Sequence, residues 1–209
     1  MMTPIIQLIA CIDSDNYGIG KDNDLLYNIP EDKKHFRDLT LGKPVIMGRK
    51  TQKSLPKGFL DKRLNIVLTS KNIDSDSRIT YVHDINSAIM EAYKSPIMRN
   101  NEIMIIGGES VYKQFSDIAS YAHITFVKKV MVHEQLPHQI HSLKPDALFP
   151  SEIIDTWRIV YESSSKCYLP SMEEIVNSGF YRLEFTFRVY QNPNVKSIPN
   201  LDFSPYTIW

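Results

Sequence analysis

Two cysteines in 209 residues leave no material for a disulfide framework. Cys11 lies inside an apolar run, the ordinary place for a small buried thiol, so a reducing, cytoplasm-like compartment is expected. An excess of one charge is missing too. Lys+Arg and Asp+Glu both number 24, and a chain of zero net charge lacks the general phosphate attraction of nucleic-acid binders, so no nucleic-acid partner is expected. The longest apolar run, Ile5 to Ile12, contains Gln7 and falls far short of the ~20 residues of a membrane span. No basic segment precedes it, so neither a signal peptide nor a membrane partner is expected. Two nucleotide signatures are absent. Gly18-Ile-Gly20 continues into Lys21-Asp-Asn23, which breaks G-x-G-x-x-G, and no G-x-x-x-x-G-K-[ST] occurs despite Gly48-Arg-Lys-Thr51. These absences argue against a conventional Rossmann dehydrogenase and a P-loop enzyme.

What is present is a globular composition, 43% hydrophobic and 23% charged, able to bury ~70% of the extended-chain surface. Runs rich in Ile, Val, Leu, Phe and Tyr predict eight strands, at 5–12, 45–47, 65–69, 79–83, 103–106, 124–130, 158–163 and 181–190. Apolar spacings of three and four predict helices at 31–39, 49–54, 86–98 and 110–118. Strand and helix alternate through the first six strands, the pattern of a mainly parallel α/β sheet. The last strand alternates instead, with Leu183, Phe185, Phe187 and Val189 against Arg182, Glu184, Thr186 and Arg188, which predicts an antiparallel edge with one solvated face. One domain is expected over 1–191, with a polar insertion at 131–145 and a loop or short helix at 164–180. The tail, 192–209, carries Leu201, Phe203, Tyr206, Ile208 and Trp209, too apolar to float free, and is expected to dock on the domain or a partner.

Two glycine-bearing strand ends open into helices, Met47-Gly48-Arg49-Lys50-Thr51 and Ile106-Gly107-Gly108-Glu109-Ser110. Free backbone N–H groups there and the close approach that glycine permits suit a phosphate, and two such turns on neighbouring strands suit a dinucleotide. Taken alone, each is also what an ordinary strand-to-helix turn looks like. In Asn28-Ile-Pro-Glu-Asp32, Pro30 suits a helix's first turn, and Asp32 just inside it is by itself an unremarked first-turn carboxylate. The order of these pieces is more specific. Leu8-Ile-Ala-Cys11, Gly18-Ile-Gly-Lys-Asp-Asn-Asp-Leu25, Ile29-Pro-Glu-Asp32 with Phe36, Lys43-Pro-Val-Ile-Met-Gly-Arg-Lys-Thr51, Ile66-Val-Leu-Thr-Ser70 and Ile105-Ile-Gly-Gly-Glu-Ser-Val-Tyr112 follow one another, then Ile124-Thr125 and Phe149-Pro150. In these blocks the chain resembles dihydrofolate reductase, over about 5–163 and again in the last strand.

The resemblance implies reduction of dihydrofolate by NADPH on a dihydrofolate-reductase-like fold: a mainly parallel eight-stranded sheet with an antiparallel C-terminal strand and about four flanking helices. Asp32 resembles the family's pterin-pocket carboxylate, and Thr125 the threonine bonded to it. Ile9, Ala10, Phe36, Leu55 and Ile106 match walls around the pterin and aminobenzoyl rings, with Ser54, Leu60 and Tyr112 alongside, and Arg63 matches the arginine that pairs with the glutamate tail. Gly48, Arg49, Lys50 and Thr51 match cofactor contacts, as do Leu68, Thr69, Ser70 and Lys71. So do Ile106, Gly107, Gly108, Glu109, Ser110, Val111 and Tyr112, where the family's Gly-Gly bond is cis. Ala10, Ile19, Gly20 and Leu25 match the nicotinamide side, within a segment, 13–29, that resembles the family's mobile loop.

Departures accompany the matches. Leu26-Tyr27 replaces the usual Pro-Trp, so Tyr27 is expected beside Leu25 in the catalytic group, with a hydroxyl in place of the water-ordering indole. Gln52 replaces another usual Trp, Ser110 stands where many bacterial members carry an arginine, and Glu109 is unfavourable for a phosphate unless it points away. His133, His138 and His141, with Glu134 and Asp146 near, read as a solvated loop, and no metal is expected. A pyrimidine or pterin reductase of the same fold is argued against by Asp32. The alternative of another class is a nucleotide-binding structural or assembly protein with weak turnover, motivated by the insertion and tail. A monomer or weak oligomer is expected, with a possible contact through the tail.

Overall fold

The computed structural model describes residues 3–97, 101–131, 144–178 and 180–198. In chain order they form β1 (Ile5–Asp13), β2 (Gly18–Lys21), β3 (Asp24–Leu25), α1 (Pro30–Thr40), β4 (Pro44–Gly48), α2 (Arg49–Ser54), β5 (Leu64–Leu68), β6 (Ile79–Val82) and α3 (Ile85–Tyr93). There follow β7 (Glu102–Ile105), α4 (Glu109–Phe115), β8 (Tyr121–Met131), β9 (Ala147–Leu148), α5 (Ser151–Thr156), β10 (Arg158–Glu162), β11 (Lys166–Tyr168), α6 (Met172–Ser178) and β12 (Phe180–Gln191).

The main sheet runs β10-β12-β8-β1-β7-β4-β5-β6, with β11 a ninth strand beside β12. From β8 to β6 every pairing is parallel; β12 runs antiparallel to β8, and β10 and β11 antiparallel to β12. The eight expected strands and the antiparallel end are all present. A second sheet, β3-β2-β9, was not expected, because strands of two to four residues built on glycine carry no readable period. Two short helices, a turn or two long, join the expected four: α5, which was not expected, and α6, which falls within the loop or short helix expected at 164–180. The expected helix at 86–98 ends at Tyr93, and that at 110–118 ends at Phe115.

Local chemistry accounts for the helix that matters most. Pro30 fixes the first turn of α1, Glu31 and Asp32 sit at its positive end and Arg37 in its last turn. Burial divides the sheet into two faces. Ile6, Leu8, Ala10 and Ile12 of β1 pack with α3, α4 and α5, whereas Ile9 joins Val45, Met47, Met104 and Ile106 on the side where Phe36 and Leu39 of α1 lie. The alternation in β12 holds through Phe187 and then changes sense: Tyr190 is buried on the opposite face, against Phe126, while Val189 is half-buried. Past β12, Asn192 donates to the carbonyls of Ser116 and Ala119, and Ile198 packs on the core below α4. The apolar tail residues from Leu201 onward, like the three histidines of the insertion, lie outside the described residues.

Candidate active site

Successive residues of a strand alternate faces, so Ile9, Cys11 and Asp13 of β1 share one. Cys11 pairs with Thr125 of β8, and α1 brings Asp32 over the pair. The Thr125 hydroxyl and the Cys11 thiol both bond to the Asp32 carboxylate. Burial pushes that carboxyl above its ordinary value, and the two hydrogen bonds and Lys33 offset this only in part. The Cys11 thiol is driven well up, first by burial and then by the charge of Asp32. The site thus holds one carboxylate in an apolar surround, able to exchange a proton nearer neutrality than a solvated aspartate.

The expected apolar wall is assembled: Ile9 and Ile106 are buried, and Phe36, Leu55 and Leu60 pack against them. Tyr112, also buried, donates its hydroxyl to the carbonyl of Ile9 at 2.7 Å. Ala10 faces the other way, in the cluster that includes Ile19. Ser54 is exposed and donates to the Thr51 carbonyl. Arg63 is pinned to the end of α1: Nε and one amino nitrogen donate to Thr40 Oγ1 (3.2 and 2.9 Å), that nitrogen also to the Arg37 carbonyl, and the other to the Asp61 carbonyl.

The two glycine turns lie side by side at the carboxyl ends of β4 and β7, with Gly48 N donating to Gly107 O at 2.7 Å. The Gly107-Gly108 peptide is cis, as the resemblance implies. Gly107 has φ +105°, and a Cβ there would stand 2.9 Å from Tyr112 Oη. Thr51 Oγ1 lies against Gly108, and Val111, buried, against Gly48. Arg49 donates to Gln52 Oε1 (3.0 Å) and Tyr81 Oη (3.3 Å), its guanidinium 5.5 Å from the Tyr81 ring centroid. Lys50, Ser70, Lys71 and Ser110 are exposed, and Leu68 is buried beneath them. Thr69 anchors its turn, accepting from Lys71 N, and its carbonyl meets His83 Nδ1 at 2.8 Å. Glu109 is engaged by its neighbours: Oε1 pairs with Lys113 Nζ (2.7 Å) and Oε2 accepts from Leu148 N (3.0 Å), which together hold its carboxyl below the usual range.

Across this edge lies the small sheet. Gly20 pairs with Leu25 on one side and Ala147 on the other, and Asp146 bonds through its backbone to Gly20 and through its carboxylate to Asp22 N. Leu25 is exposed and Ile19 half-buried. Tyr27 is buried with Ile29, Val127, Leu183 and Phe185, and its hydroxyl bonds to Asp13. Asp13 is wholly buried, which alone would raise its carboxyl; hydrogen bonds from Lys129 and Tyr27 hold it below the ordinary value instead. The hydroxyl that Tyr27 adds is thus turned to Asp13. Reading by motif passed over Asp13 and Lys129, and also Thr40 and Tyr81, which with Gln52 hold the expected arginines; Gln52 stands out only as a departure from the usual Trp. The face that Asp13 shares with Ile9 was the one signal available for it. Among the described residues no group of His, Cys, Asp and Glu could hold a metal.

Compared with known proteins, residues 5–168 match the family model described as dihydrofolate reductase. A dihydrofolate reductase of Buchnera aphidicola subsp. Baizongia pistaciae is 34% identical over 149 residues, 71% of this chain and 80% of that protein. That of Buchnera aphidicola subsp. Acyrthosiphon pisum is 39% identical over 122 residues, 58% and 71%. That of Haemophilus influenzae is 32% identical over 151 residues, 72% and 82%.

Proposed function

Because the chain belongs to the dihydrofolate reductase family, we propose how its residues divide the work of reducing 7,8-dihydrofolate to 5,6,7,8-tetrahydrofolate with NADPH. Asp32 takes the amidine edge of the pterin by two charge-assisted hydrogen bonds and steadies the proton required at N5. The observation that carries this is the placement of the Asp32 carboxylate, brought by the first turn of α1 onto Thr125 and Cys11 of the paired strands β8 and β1. Ile9, Phe36, Leu55, Leu60 and Ile106 enclose the rings and exclude water. Arg63, set in place by Thr40, takes a carboxylate of the glutamate tail.

The glycine turns fit the dinucleotide: a Cβ would crowd the Gly107 cradle, and exposed basic residues, Lys50 and Lys71, flank the strand ends while Glu109 is engaged by Lys113 and Leu148. NADPH, when bound, supplies the hydride for pterin C6. Gly48 to Thr51, Gly107, Gly108 and Ser110 to Tyr112 hold its phosphates and riboses; Thr69, Ser70 and Lys71 receive the adenosine end, and Ala10, Ile19, Gly20 and Leu25 border the nicotinamide. Residues 1–191 act as one domain, a monomer or weak oligomer, with no nucleic-acid partner. No helix among the described residues is long and apolar enough to cross a membrane, and Cys11 and Cys167 are free thiols, which supports a reducing, cytoplasmic compartment.

Purified protein should oxidise NADPH on addition of dihydrofolate and not without it. NADPH bound but not consumed in the presence of dihydrofolate would favour a nucleotide-binding structural role instead.

A further inference from the structure

Glu109 is the first residue of α4, directly after the glycine pair assigned to the cofactor phosphates. A carboxylate there repels phosphate, so its presence calls for another task. Its two oxygens show one. Lys113, one turn along α4, grips Oε1 at 2.7 Å and leaves Oε2 aimed at Leu148 N, 3.0 Å away. Leu148 belongs to β9, which pairs Gly18 with Leu148 and Gly20 with Ala147. The next residue, Phe149, is buried and lays its ring on Tyr112 of the same helix, centroids 5.0 Å apart. Glu109 and Tyr112 are three residues apart and share a face of α4, so that face seats the last residue of β9, which pairs with β2, and the residue that follows it. Tyr112 supplies apolar packing, which tolerates sliding; Glu109 supplies a directional hydrogen bond, which does not.

We propose that Glu109 is a positioning residue: it fastens β9, and through it the Gly18–Lys21 strand that borders the nicotinamide, to the turn that holds the cofactor phosphates. The proposal rests on the cofactor reading above. It makes the grip on one end of the dinucleotide depend on the seating of the other. The adenosine half of the cofactor alone, as in 2′,5′-ADP with its 2′-phosphate and one 5′-phosphate but no nicotinamide, does not reach β2 and should not sense the fastening.

The test measures NADPH release by stopped-flow displacement, and binding of 2′,5′-ADP by titration, for the native chain, Glu109→Ala and Glu109→Gln. Glu109→Ala should release NADPH roughly ten-fold faster, the effect of losing one hydrogen bond to a charged acceptor, and bind 2′,5′-ADP no more weakly than the native chain. Glu109→Gln, whose amide oxygen can still accept from Leu148 N, should return release to within about three-fold of native. Equal release from native and Glu109→Ala would overturn the proposal. So would equal weakening of NADPH and 2′,5′-ADP, which marks a direct effect on phosphate binding, or a Glu109→Gln chain that behaves as the alanine variant. A native chain that bound 2′,5′-ADP and not NADPH would overturn the cofactor reading itself, and the fastening with it.

Discussion

Asp32 meets two opposed demands, and both can be measured. Its raised carboxyl means that the folded state binds the proton more tightly than the unfolded chain does. Stability from this group is therefore present below the unfolded value near 3.8 and is lost as pH rises through the folded one; at neutral pH the buried charge is a net cost. Asp32→Asn removes that cost, and its unfolding midpoint in urea at pH 7 should equal or exceed the native one. Hydride transfer should show the reverse. Asparagine keeps the shape but cannot hold the protonated pterin by charge, so single-turnover rates should fall ~10²- to 10⁴-fold at neutral pH, with the defect shrinking in acid, where solvent protonates N5. A near-normal rate at neutral pH would remove Asp32 from the chemistry. Gly107 is a second case. With φ at +105° and Tyr112 2.9 Å from any added Cβ, Gly107→Ala must displace a side chain that is itself hydrogen-bonded to Ile9. A loss of about 1–3 kcal/mol in urea unfolding, with weaker NADPH binding by fluorescence titration, is expected.

At the scale of elements, the site is a set of strand ends and the helix starts that follow them, each with a support from elsewhere in the chain. The end of α1 supports Arg63 through Thr40. Arg63→Leu should raise KM for dihydrofolate ten-fold or more, and Thr40→Val, which leaves the charge but removes its seat, by less; a pterin substrate without the glutamate should register neither change. The sequence displays such elements unevenly. The eight main strands show as apolar runs, continuous in the buried parallel strands and alternating in β12, the main helices show by apolar spacings of three and four, and α2 falls at 49–54 as expected. The β3-β2-β9 sheet does not show, because its strands pair through backbone while Gly18 and Gly20 contribute no side chain. Asp32, Thr125 and the glycines stand in motifs. Asp13 and Lys129 do not, since a buried ion pair between distant strands has no local pattern; nor does the thiol of Cys11, which reads as core until α1 is laid over it.

Across the whole molecule a chain of polar groups runs over the sheet's α1 side, at the end remote from the glycine turns. His123 Nε2 meets Gln7 Oε1 at 2.7 Å, Gln7 Nε2 donates to Glu102 Oε1 at 2.9 Å, and Lys43 Nζ pairs with Glu102 Oε2 at 2.8 Å. These residues sit on or beside β8, β1, β7 and β4, so the chain ties four strands where the apolar core gives way to solvent. Burial, with His35 and Lys43 close by and only Glu102 opposing them, lowers His123 from 6.5 to about 4. His35, set against Phe187 with ring centroids 4.2 Å apart, is lowered as well, mainly by burial. Both rings are neutral in the folded state where the unfolded chain would already be protonated. As pH falls below 6.5 the unfolded state takes up protons first, and folding stability declines until about pH 4. For His123 the loss is on the order of 3 kcal/mol over that interval. Asp13, held below its ordinary value, adds its own loss only below the usual aspartate range, so the two contributions separate along the pH axis. Asp32, whose raised carboxyl gains stability as pH falls, works against this but is common to both proteins, so urea midpoints taken from pH 7 to pH 4 should fall further in the native chain than in His123→Gln, whose amide nitrogen can still donate to Gln7 but takes up no proton. Parallel curves for the two proteins would show that His123 is not the group that couples the sheet to acid.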